Sequence, residues 1–122
     1  MKFLAVVAVA ASSLVTMASA KPLQINNPTQ GSVWTAGKKG FLGWSGNCKK
    51  MGSRGLNVTV DIVTGPAEAV RYVATLGHID CTGSIVKQTF TVPTTIESGA
   101  YALIVRTTPQ PSFSNHFEIR GR

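Results

Sequence analysis

The sequence predicts an all-β protein, an antiparallel β-sandwich of about seven strands that follows a cleaved leader. Three observations predict it. Apolar and polar residues alternate with a period of two in the runs beginning at Leu56, Val86, Tyr101 and His116, as in strands with one buried face. Clusters of Gly, Pro, Asn and Ser break the chain between those runs. No stretch carries a helical period of useful length, and many short strands in one small domain favour two packed layers over an open sheet.

The leader occupies residues 1–20. Lys2 gives it a positive start, Phe3 to Ala11 is unbroken apolar chain, and Ala18-Ser19-Ala20 is a small-residue cleavage site of the A-x-A kind. A membrane anchor needs roughly 18 to 25 apolar residues, and Ser12, Ser13 and Thr16 interrupt the run before that length. The expectation is a cleaved secretory signal peptide, a secreted product and no membrane span. Residues 21–122 then form a single domain, large enough to bury one core.

The strands are expected in this order. Leu23 to Asn26, Ser32 to Trp34 and Leu42 to Trp44 are short candidates, separated by Asn27-Pro28 with Gly31 and by Ala36-Gly37. Leu56, Val58, Val60 and Ile62 alternate with Asn57, Thr59, Asp61 and Val63, after a Gly52 to Gly55 turn. Val70 to Leu76 follows Gly65-Pro66. Val86, Gln88, Phe90 and Val92 alternate with Lys87, Thr89 and Thr91, between Cys81-Thr82-Gly83 and Pro93. Tyr101, Leu103 and Val105 alternate with Ala102, Ile104 and Arg106, and Phe117 and Ile119 face inward between His116, Glu118 and Arg120. Leu42, Trp44, Phe90, Tyr101 and Phe117 supply the bulk that fills a sandwich about 10 Å thick.

Cys48 and Cys81 are an even pair in a chain expected to be secreted, so they are expected to be joined. In the chain-entropy view a loop of that length adds roughly 3 to 4 kcal/mol of stability. Neither a C-x-x-C spacing nor a lone thiol suggests redox work. Asn57-Val58-Thr59 is a sequon on an outward position, whereas Pro28 disqualifies Asn27. Glycosylation of Asn57 is expected in a eukaryotic secretory route; an unmodified polar strand residue is the alternative.

An ordered set of short motifs then carries a resemblance. Asn27-Pro28-Thr29 with Gly31-Ser32-Val33-Trp34-Thr35-Ala36-Gly37, Leu42-Gly43-Trp44, Phe90-Thr91-Val92-Pro93, Ser98-Gly99-Ala100-Tyr101 and Ser114-Asn115-His116-Phe117-Glu118-Ile119 follow one another along nearly the whole mature chain. In this the sequence resembles the N-terminal Ig-like domain of the fungal Ser/Thr-rich, GPI-anchored wall proteins, shared with yeast beta-1,6-glucan synthesis proteins of the Kre/Knh type. The resemblance implies an Ig-like sandwich, a fungal source and a part in cell-wall organisation, with wall beta-glucan as partner. Relatives commonly continue into a Ser/Thr-rich stalk and a hydrophobic GPI signal, which Ile119-Arg120-Gly121-Arg122 does not provide. The expectation is therefore a protein without a GPI anchor, soluble or held non-covalently in the wall.

Two surfaces are candidates for binding. Trp34, Phe41, Tyr72 and Phe113 fall near strand ends or out of phase with the apolar faces, where a ring can stack on a sugar; the alternative is edge packing for Trp34 and isolated exposure for the others. Lys38, Lys39, Lys49, Lys50 and Arg54 fall in loops flanking one strand, as an anionic-polymer site or as solvated loop charge. With 12 Lys and Arg against 5 Asp and Glu the formal net charge is +7, which draws anionic partners. Secretion directs that charge to acidic wall polymers or membrane surfaces, not nucleic acid.

Catalysis, metal binding and cofactors are not expected. His78 and His116 are the only imidazoles. Asp61, Glu68, Asp80, Glu97 and Glu118 are the only carboxylate side chains, and a glycosidase pair must flank a cleft about 5 to 10 Å apart, for which so small a sandwich has little room. Gly43-Trp44-Ser45-Gly46-Asn47 misses the nucleophile elbow at its last position. A copper oxygenase built on an N-terminal histidine is excluded with Lys21 as first mature residue. Two function classes remain: a cell-wall module that binds or organises glucan, and a small secreted interaction protein that binds a protein or an anionic surface.

Overall fold

A computed structural model describes residues 23–122; the expected signal peptide lies outside the described residues. Nine strands run through these residues: β1 (Leu23–Asn27), β2 (Val33–Thr35), β3 (Lys39–Gly46), β4 (Val58–Thr64), β5 (Arg71–Ile79), β6 (Lys87–Thr91), β7 (Gly99–Val105), β8 (Ser112–Phe113) and β9 (Phe117–Arg120). They build a sandwich of two sheets. The smaller has the order β1-β3-β6, and the larger has the order β2-β9-β7-β4-β5 with β8 added beside β7.

The leading segment is divided between the layers, β1 in the small sheet and β2 in the large one. All pairs are antiparallel except β2 with β9, which run parallel in the register Trp34↔Ile119. A short strand that crosses from one sheet to the other, without reversing direction, meets the far edge this way. Near the start of β7 the Tyr101 hydroxyl donates to the Glu97 carbonyl at 2.7 Å, the tyrosine corner of Ig sandwiches. In antibody domains a cysteine two residues later joins the sheets; here fully buried Leu103 takes that place.

Alternation accounts for the core. Leu42 and Trp44 of β3 face Val58, Val60 and Ile62 of β4, Tyr101, Leu103 and Val105 of β7, and Phe117 and Ile119 of β9 in one cluster, with Phe90 closing it from β6. Trp34 belongs to the same core, although the sequence offered it as a sugar platform. It is 6 % exposed and meets Phe117 edge-to-face, ring centroids 4.9 Å apart. Gly40 makes this possible, because a Cβ there would sit 2.5 Å from the indole. In so short a strand the inward position is its middle residue, and Val33 and Thr35 are the exposed neighbours.

Several boundaries differ from the sequence reading. Leu56, expected to open a strand facing inward, ends two 3-10 turns over Lys49–Leu56 that meet at Gly52 (φ 65°), and it is 56 % exposed. Val86 lies before β6 and is exposed as well. The outer face of the large sheet, to which the alternation assigns Val63, Ala102 and Ile104, gathers these three into a second apolar cluster under Val70 and Phe113. Phe113 thus serves as a cover for buried residues, not as a free ring.

The Cys48–Cys81 disulfide is present, with Cα atoms 5.3 Å apart. It joins the 3-10 segment to the end of β5. Backbone bonds reinforce that junction: Cys48 N–H donates to Cys81 O at 2.8 Å and Cys81 N–H to Gly55 O at 3.0 Å. No helix among the described residues is long and apolar enough to cross a membrane.

Candidate functional site

The outer face of the small sheet carries the most distinctive surface chemistry. Register sets its membership: Lys39 lies opposite Thr91, Phe41 opposite Thr89 and Gly43 opposite Lys87, while Ser45 lies opposite Gln24 on the other side. In this alternation Gly40, Leu42 and Trp44 go into the core, so Lys39, Phe41, Gly43 and Ser45 point out.

Phe41 is the aromatic of that face. A Cβ placed on Gly43 would lie 3.5 Å from its Cε2 and 3.7 Å from Asn27 Cβ, so the ring reclines along β3 over Gly43 beside the Asn27 side chain. Gly43 is buried beneath it while Phe41 itself stays 37 % exposed. The Asn27 amide donates to the Phe41 carbonyl at 2.7 Å, where a bulge in β1 interrupts the backbone ladder. The Lys87 ammonium stands 4.4 Å from the ring centroid, within cation–π range.

Charge on this sheet has one sign. Its three strands include Lys39 and Lys87 and no Asp or Glu; the first acidic residue of the chain is Asp61. Thr89, Thr91, Gln24 and Ser45 add exposed hydroxyl and amide groups around the ring. The arrangement offers a half-exposed aromatic, flanking ammonium groups and a border of neutral hydrogen-bonding side chains.

The other expected binding residues are dispersed. Lys38 and Lys39 lie at the start of β3, and Lys49, Lys50 and Arg54 lie beyond its far end. The eight-residue strand separates them by roughly 23 Å, so the five cations form no single patch. Tyr72 belongs to the outer face of the large sheet and is 61 % exposed, its hydroxyl 3.0 Å from Thr75 Oγ1. Asn57 is exposed at the end of the 3-10 segment, before β4 rather than on it.

Lys87 was absent from the sequence candidates. Its outward phase with Thr89 and Thr91 was readable, but only the β3–β6 pairing places it against Phe41.

Elsewhere several polar groups are engaged with one another. Thr75 Oγ1 donates to Asp61 Oδ1 at 2.8 Å, and Arg106 Nε and Nη2 donate to Oδ2 at 3.1 and 3.0 Å. Because that threonine proton is committed, the Tyr72 hydroxyl donates to Thr75. This buried carboxylate accepts three hydrogen bonds and pairs its charge with Arg106. Asp80 accepts from the Thr82 hydroxyl at 2.6 Å and the Thr82 N–H at 2.9 Å, and these bonds hold its pKa below the usual carboxylate value. A shallow depression of about 260 Å³ lies between Gln30, Gly99, Ala100 and His116 to Glu118. Among the described residues no three His, Cys, Asp or Glu side chains group as metal ligands would.

No family model matches the sequence, and no curated protein matches it. Among solved structures the chain is similar to a DUF4784 family protein from Bacteroides caccae, with 9 % identity and a TM-score of 0.46. The match covers 81 % of this chain and 23 % of that one, so this chain spans about a quarter of its length.

Proposed function

We propose that this chain is a secreted, non-catalytic cell-wall module that binds or organises wall polysaccharide, beta-glucan included, through the outer face of the β1-β3-β6 sheet. The observation that carries the reading is the Phe41 ring laid along the strand over Gly43, half open to solvent. A ring in that position offers a pyranose an apolar contact surface, and sugar hydroxyls meet the neighbouring threonine, glutamine and serine side chains. The resemblance of the sequence motifs to those of fungal wall proteins supports the same reading.

Co-sedimentation with insoluble beta-glucan tests it. Wild-type protein is expected to stay with the pellet in 1 M salt, where the screening length falls to about 3 Å. Phe41→Ala is expected to remain in the supernatant while keeping a cooperative unfolding transition, with only the small loss of stability that removing the Lys87 contact brings. A second reading, a secreted protein that binds anionic surfaces by charge, is favoured by the acid-free small sheet. It predicts release by moderate salt and little effect of Phe41→Ala.

A further inference from the structure

We infer that the small-sheet face prefers a polysaccharide bearing negative charge, a uronate or a sugar phosphate, over neutral glucan, with Lys39 and Lys87 as the paired anion contacts on either side of the Phe41 platform. The inference rests on the proposed polysaccharide binding and specifies its ligand class.

The geometry points to this in three ways. Lys87 already spends its charge on the Phe41 ring at 4.4 Å, with no carboxylate on any of the three strands to draw it away. An incoming anion therefore gains an ion pair without breaking one, and the ammonium swings off the ring as the sugar takes that place. The two lysines are also spaced along the strand direction. Lys39 lies four residues before Gly43, the position facing Lys87, about 13 Å along β3 and a distance bridged by a short run of pyranose rings. Finally, both lysines belong to strands held in register, not to loops, so the sheet fixes the separation of their backbone positions.

Titration calorimetry at low salt with three soluble probes tests the inference: a neutral beta-glucan oligosaccharide, an oligoglucuronate and a phosphorylated mannan fragment. The charged probes are expected to bind roughly five- to tenfold tighter than the neutral one, as two exposed ion pairs allow; the stronger of the two identifies carboxylate or phosphate as the group recognised. A Lys39→Ala/Lys87→Ala double variant is expected to lose that preference, binding charged and neutral probes with equal affinity. A Lys49→Ala/Lys50→Ala variant removes equal charge at the other end of β3 and is expected to keep the preference. Equal affinity for charged and neutral probes overturns the inference and leaves polysaccharide binding standing. Equal losses in the two double variants overturn it as well, since diffuse net charge then explains the preference. Absence of binding to all three probes overturns both it and the reading beneath it.

Discussion

The Lys87 ammonium and the Phe41 ring face each other across the β3–β6 pair, 4.4 Å from nitrogen to ring centroid. The contact couples a cation to an aromatic on a face that carries no acid, and it keeps both side chains oriented along the sheet. At an exposed site such a pair adds about 0.5 to 1 kcal/mol. A double-mutant cycle with Phe41→Leu and Lys87→Met, read by chemical denaturation, is expected to return a coupling in that range. A coupling indistinguishable from zero shows that the two do not hold each other.

Tyr101→Phe separates fold from binding. Its hydroxyl closes the turn into β7 by donating to Glu97 O, far from Phe41 in the other sheet. Losing this bond is expected to lower stability by about 1 kcal/mol, leaving a carbonyl short of its donor. Glucan retention is expected to stay unchanged.

The cystine has a local task. It pins the 3-10 segment that follows β3 to the end of β5, with both cysteines at the buried margin of the core. Cys48→Ala/Cys81→Ala is expected to lose roughly 3 to 4 kcal/mol, on the chain-entropy estimate. Hydrogen exchange in the variant is expected to rise first across Lys49–Leu56, with the β3, β4 and β7 core protected for longer.

Asp80 gives the acid limb a testable component. Its two bonds from Thr82 lower the folded-state pKa below the unfolded value of 3.8, so its contribution is present above that value. It is lost as pH falls through the lowered folded value. Asp80→Asn is therefore expected to flatten the fall of the thermal midpoint below about pH 4. A midpoint curve parallel to wild type through that range contradicts the assignment.

β4 and β7 were legible in the sequence because period-two alternation runs through five or more residues of each. Their inward residues Val58, Val60 and Ile62, and Tyr101, Leu103 and Val105, follow it directly. The sequence leaves Trp34 open between a sugar platform and edge packing because a three-residue strand has too few positions to show a phase, and its burial depends on Gly40 from a different strand. Phe113 was misplaced because an apolar outer face, Val63 with Ala102 and Ile104, breaks the rule that outward positions are polar. Phe41 was named, but not its setting: Gly43, Asn27 and Lys87 gather around it through strand pairings that no local pattern encodes.

The most direct test of the binding face is amide NMR during titration with a soluble beta-glucan oligosaccharide. The account predicts shift changes confined to β1, β3 and β6, largest at Phe41, Gly43 and Lys87, with the β5 and β7 amides unmoved. Changes centred on Tyr72 and Thr75, or a spectrum unaltered at high oligosaccharide concentration, contradict it.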